Sequence, residues 1–464
     1  MQHHHRLYIV SSLILLIATL VFGMLASWAF LYPLTYNSIF PFYQARPFHV
    51  SAALFWIITG ATACILFFKK EVLPSPSGAL AGKVFVYTWL ASILAVFVCY
   101  SFRLFGGREY WEFPPVLCLP ILVSWVFLAV SWFAPFAKVR GRKPLYMWMW
   151  STGIFFFLLT FVEQNLWQIP WFRLSYLREI TVQWKSNGAM VGAWNQMIYG
   201  TSLYLMVKIS GDEQMARSRS AYFFYMLGLT NLMFNWGHHL YNVPAAAWIR
   251  DGAYLISMTE WIFLIRMIHG FRTTLRESKR LQHLISYRFI IAAEFWVFMN
   301  LLLTLAMSIP AINRYTHGTH ITVAHAMGAT IGINSMILLG AFSWILEADM
   351  LKIRIRKAIA VSYWGAQISL AAFWLSLIAA GIVKAYRTTA LNITSFQEVM
   401  APVTSILKVF NLLGVGLLIS LGTIAFIYLR RALRFTPAPV ATIPAQHASP
   451  KTRIVRAKEN ELAQ

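Results

Sequence analysis

Charge is what this 464-residue chain has least of. Asp, Glu, Lys and Arg together make 12% of it, and carboxylates are scarcest: 16 Asp and Glu stand against 39 Lys and Arg. A soluble domain needs a charged, solvated surface, and this composition excludes one. Cysteine is almost missing too. Cys64, Cys99 and Cys118 are the whole complement, and all three sit in apolar stretches. A disulfide framework and a cysteine-based metal motif are therefore excluded. The chain contains no internal repeat. No cleavable signal peptide is expected, because the first apolar run is long enough to stay as an anchor.

Apolar length is abundant. Hydrophobic residues make 59% of the chain, and the mean hydropathy is +0.60. A spanning helix needs about 20 apolar residues. Twelve stretches meet or approach that: 7–32, 48–68, 84–102, 114–136, 145–162, 188–207, 221–239, 253–267, 289–309, 321–346, 358–383 and 409–429. The expectation is an all-α, polytopic, twelve-helix membrane bundle over residues 1–434. A basic tail over 435–464, rich in Pro and Ala, is expected to be disordered.

The net charge of +23 invites a nucleic-acid reading, but its placement points to the lipid bilayer. With twelve spans both termini share a side, and that side holds 28 of the 39 Lys and Arg, the densest run being "KVRGRK" (Lys138 to Lys143). The positive-inside rule then makes both termini cytoplasmic, and no nucleic-acid partner is expected.

Polar residues inside spans are costly and mark function by default. The topology places His49, Asn187, His238, His239, His325 and Met327 at four helix ends on the outer side. Each has a plain alternative: an interfacial or buried histidine, or a core methionine. Their matched depth argues against all of these together. In "TVAHAMGATIGINS" (Thr322 to Ser335) His325 and Met327 are two residues apart, so about 200° apart on a helix; they can serve two different metals and not one. In "WGHHLYN" two adjacent histidines can turn to one metal if the last turn is irregular. His and Met are both usual axial haem ligands. Gly328, Gly332 and Gly340 would let a flat macrocycle or a neighbouring helix approach. The 19 Trp are assigned mostly to an interfacial aromatic belt.

At these residues the sequence resembles the large catalytic subunit of cytochrome c-dependent nitric oxide reductase, in the haem–copper oxidase superfamily. The resemblance covers essentially the whole chain. It rests on "RPFH" before the second span, "GREYWEFP" (Gly107 to Pro114), "GHH" ending the seventh, "THGTHITVAH" before the tenth, and a glutamate in the eighth. It implies two b-type haems, with His49 and Met327 as axial ligands of the low-spin haem and His325 as proximal ligand of the high-spin one. It implies a non-haem iron on His238, His239 and Asn187, a catalytic role for Glu260 and Asn187, and a calcium ion held by Glu109 near the haem propionates. A small membrane-anchored cytochrome c subunit on the outer face, and residence in the bacterial inner membrane, follow from the same likeness.

The departures carry information. Asn187 stands where the family places an iron-binding histidine, Val191 where it places a glutamate, Asn195 where it places another, and Met327 where it places the second low-spin histidine. An amide oxygen is a weaker ligand, two carboxylates for proton supply are gone, and a methionine ligand raises the haem potential. The leading expectation is reductive coupling of two nitric oxide molecules to nitrous oxide. Dismutation of nitric oxide to dinitrogen and dioxygen is the alternative that consumes no external protons or electrons. A haem electron-transfer subunit without a competent non-haem metal is a third, and a plain transporter a fourth.

Overall fold

The computed structural model describes residues 3–36, 40–73, 75–281 and 284–434; the expected tail over 435–464 lies outside them. Among the described residues there is no β-strand, only an isolated antiparallel bridge between Arg108 and Trp111. The long helices are α1 His3–Leu31, α2 Phe42–Val72, α3 Ala79–Ser101, α4 Cys118–Phe136, α5 Leu145–Gln164, α6 Tyr176–Ser210, α7 Arg219–Phe234, α8 Ala247–Met258, α9 Glu260–Leu281, α10 Ile285–Met307, α11 His320–Ile345, α12 Ile353–Ala385 and α13 Phe396–Arg434. Helix is the form such segments must take in hydrocarbon, because every backbone N–H and C=O is then bonded within its own segment.

Among the described residues nine helices are long and apolar enough to cross a membrane, which makes the chain a multi-pass membrane protein. The expectation of twelve is met for these nine. The remaining three stretches, 188–207, 221–239 and 253–267, do fold as helix but miss that mark. α7 has only 16 residues, and α6 and α9 carry too much polarity. Two of these three hold His238, His239 and Glu260, and Asn187 immediately precedes the third.

Burial orders the bundle. The apolar windows of α2 and α11 are 83% and 72% enclosed, against 33–56% for the other seven spans. The two helices that carry His49, His325 and Met327 are thus its central rods. α1 packs along α2, α5 along α6 and α12 along α13, and α13 closes against α1. Nine of the nineteen Trp are buried in this core, among them Trp56, Trp89, Trp125, Trp132 and Trp150. A buried indole seeks a partner for its N–H, and these five find one: Trp56 in Ser335 Oγ, Trp89 in Thr59 Oγ1, Trp125 in the Ile154 carbonyl, Trp132 in Ser151 Oγ and Trp150 in Thr201 Oγ1, at 2.8–3.1 Å.

The glycines of α11 accept neighbouring helices. A Cβ on Gly332 would lie 2.4 Å from the Trp296 ring, one on Gly328 would lie 2.7 Å from Asn300 Oδ1, and one on Gly340 would lie 3.1 Å from the Ser286 carbonyl. Between two α-helical parts, α11 runs as a π-helix over Gly328–Ser335.

Candidate metal centre

α2 begins after Pro41, and "RPFH" forms its first turns, with Pro47 inside the helix. The His49 ring lies against α1: its Nδ1 is 2.9 Å from the Thr19 carbonyl, and a Cβ on Gly23 would come within 2.9 Å of the ring. A carbonyl can only accept, so Nδ1 carries the proton and Nε2 keeps a free lone pair, the tautomer a metal needs. His325 is set the same way. Its Nδ1 is 3.0 Å from Thr304 Oγ1 on α10, and that hydroxyl spends its own proton on the Asn300 carbonyl at 2.8 Å. Its oxygen is left to accept from Nδ1–H, which frees Nε2.

His238 and His239 lie on a 3-10 turn, Asn235–Leu240, that follows α7, so the end of this segment is irregular. Their ring centroids are 4.3 Å apart with planes at 50°. His238 Nδ1 is 3.2 Å from Ser257 Oγ on α8. His239 stacks on Trp184 of α6 at 4.8 Å and 13°. Trp184 is one helical turn before Asn187 and shares its face. A Cβ on Gly188 would meet Trp236 at 3.0 Å, which fixes how closely α6 approaches the turn. Asn187 is 3% exposed, and neither its Nδ2 nor its Oδ1 has a hydrogen-bond partner among the described residues. His325 and His317 are within electrostatic reach of both histidines. Burial lowers the His317 pKa from its ordinary value.

The fold thus gathers His238, His239, the Asn187 face of α6 and His325. Glu260 opens α9 with a buried, unpartnered Oε2, beside Asn235 and within reach of Tyr199. Met327 ends the first α-helical part of α11 and packs, half-buried, on the main core. The rods that bear His49 and Met327 are joined by the Trp56–Ser335 bond. Glu109 stands apart. In the outer loop it and Glu112 both pair with Arg46, while Arg108 pairs with Glu179 at 2.6 Å. Burial lifts the Glu112 carboxyl, and Arg46 opposes the rise.

Among the described residues no three His, Cys, Asp or Glu converge as a metal site. Two imidazoles and one unpartnered amide are what this place offers. Sequence reasoning missed the groups that contact the candidate ligands: Thr19, Trp184, Ser257 and Thr304. For Thr304 a signal existed, since it is a hydroxyl inside an apolar span; Trp184 was lost among many aromatics.

The family model for cytochrome c and quinol oxidase polypeptide I matches residues 4–415. The chain belongs to that family. As a polypeptide I member it is similar to the B subunit of nitric oxide reductase from Stutzerimonas stutzeri, 22% identical over 81% of this chain and 83% of the relative. It is also similar to the cbb3-type cytochrome c oxidase subunit CcoN1 of the same organism, 23% identical over 77% and 78%. A haem–copper terminal oxidase dimer solved by cryo-EM superposes with a TM-score of 0.71 at 15% identity, covering 98% of this chain and 91% of its own. The haem–copper oxidase subunit I fold follows from that likeness, and the oxidoreductase class from the family.

Proposed function

We propose that this polypeptide I member is the catalytic subunit of a bacterial inner-membrane enzyme that converts nitric oxide. The observation that supports it is the donor set at the turn after α7: two adjacent imidazoles, with an amide where a third imidazole would stand. The likeness to the nitric oxide reductase chain over four-fifths of both sequences favours the same substrate.

His49 and Met327 would hold a low-spin haem and His325 a high-spin one; His238, His239 and Asn187 would hold a non-haem metal, taken as iron. The buried, unpartnered amide of Asn187 fits a ligand role. Such groups, held by these residues, would supply substrate binding and electron delivery. The chain's own residues do the rest. Thr304 and Thr19 hold the imidazoles in the ligating tautomer. Trp184 fixes the His239 plane. Glu260, the carboxyl beside the turn, is placed to give or take a proton through its unpartnered oxygen. Calcium at Glu109 is not carried into this reading, because Arg46 already supplies the positive charge there. A small membrane-anchored cytochrome c on the outer face would deliver electrons.

Dismutation is kept as a second reading on one observation: between Glu179 and Asp212 α6 has no carboxylate, and Asn195 there leaves its Oδ1 unpartnered. The test is anaerobic turnover of the purified full chain with isotope-labelled nitric oxide. Nitrous oxide formed only with an added electron donor supports reduction. Labelled dioxygen without donor overturns it in favour of dismutation. Haem absorbance with no nitric oxide consumed overturns both.

A further inference from the structure

A cavity of about 330 Å³ opens at the end of the bundle that carries the N-terminus, and the proposed chemistry makes no use of it. Lys69 forms its floor, 9% exposed, with Nζ donating to Ser131 Oγ at 3.0 Å. Lys70 and Lys83 stand exposed at its mouth, and His4 and His5 of α1 close the far side. Among the described residues no Asp or Glu lines it. The nearest carboxylate in sequence, Glu71, is engaged elsewhere: it accepts from Tyr204 Oη at 2.8 Å and pairs with Lys208 at 2.7 Å.

The start of α3 forms one wall. Its N-cap is Gly78, at φ 74° and without a side-chain cap, and Ala79 and Gly82 of its first turn line the cavity. Cβ atoms on Gly78 and Gly82 would come within 2.7 and 2.8 Å of Ser131; only glycine lets α3 sit this close to α4. Three ammonium groups and the positive end of a 23-residue helix therefore converge on one concavity, which suits a phosphate. A lipid-facing stripe leaves from the same spot. Leu80, Tyr87 and Leu94 recur every seven residues along α3, at 74%, 50% and 65% exposure.

We infer that this cavity seats the phosphate headgroup of an anionic glycerophospholipid from the surrounding leaflet, with its acyl chains along the Leu80–Tyr87–Leu94 stripe. Charge recognition sits at the mouth and an apolar track runs from it, an arrangement free phosphate would not need.

The test uses the full chain in phosphatidylcholine nanodiscs, titrated with a fluorescent phosphatidylglycerol. Saturable binding is expected. An exposed lysine near a headgroup contributes about fivefold in affinity, so Lys70→Gln with Lys83→Gln should weaken binding about 25-fold. Lys352→Gln with Lys357→Gln removes the same charge from another exposed helix start and should leave binding unchanged. Inorganic phosphate in large excess should not displace the lipid. Equal loss in both double variants, no loss in the first, or displacement by phosphate would each overturn the inference.

Discussion

In α1–α3 nearly every buried polar side chain has a protein partner. Tyr8 meets Thr62 at 2.7 Å, Trp89 meets Thr59 at 2.9 Å, and Ser51 meets Tyr100 at 2.9 Å. Along α6 and the helices facing it, the side chains of Gln183, Asn187, Asn195, Gln196, Asn231 and Glu260 each keep a buried atom with no protein partner among the described residues. Each such atom costs about 1–3 kcal/mol unless something bonds it. The first wall keeps one such atom among the described residues, Ser12 Oγ. The second leaves these atoms without protein partners, and it also carries the candidate ligands Asn187, His238 and His239.

That contrast can be broken, and the largest break is expected at the turn after α7. Replacing His239 with Ala should lower nitric oxide turnover by at least about 100-fold, beyond what loss of an outer-sphere partner does, while haem absorbance stays; undiminished turnover would remove His239 from the centre. Thr304→Val keeps shape but takes away the acceptor for His325, so a fall of about 10–100-fold, with a shifted high-spin haem spectrum, is expected. A normal spectrum would mean that the hydroxyl does not set the ring.

The first wall should respond by stability rather than rate. Gly23→Ala drives a methyl into the His49 ring and should cost about 1–3 kcal/mol in denaturant midpoint measurements, as overpacking does; a neutral result would show the ring free to move. Met327→His sharpens the contrast most gently. Redox titration should show a lowered low-spin haem potential with turnover largely kept. An unmoved potential would show that Met327 packs and does not ligate.

The two walls also differ in how far they could be read from sequence. The apolar wall was legible because its signal is the length of apolar runs, and the helices extend a few residues beyond the stretches read. The polar wall blurred its own spans: Asn187, Asn195 and Gln196 make α6 a site and lower its hydropathy at once. Candidate ligands could be named since His and Met are rare within spans. Their supports could not, because Thr19 and His49, Ser257 and His238, and Thr304 and His325 are 19–30 residues apart and meet only through helix packing. The shared pairing of Glu109 and Glu112 with Arg46 was invisible for the same reason.

The π-helical stretch Gly328–Ser335 links His325 to the half-helix below it. Ser335, at its end, is tied to α2 through Trp56, so the lower part of α11 is clamped in azimuth. Deleting one residue from the stretch would turn everything above it by about 100° and swing the imidazole plane away from Thr304 without altering a single side chain at the centre. A length change of one residue in this segment would act as a rotary adjustment on the candidate ligand His325.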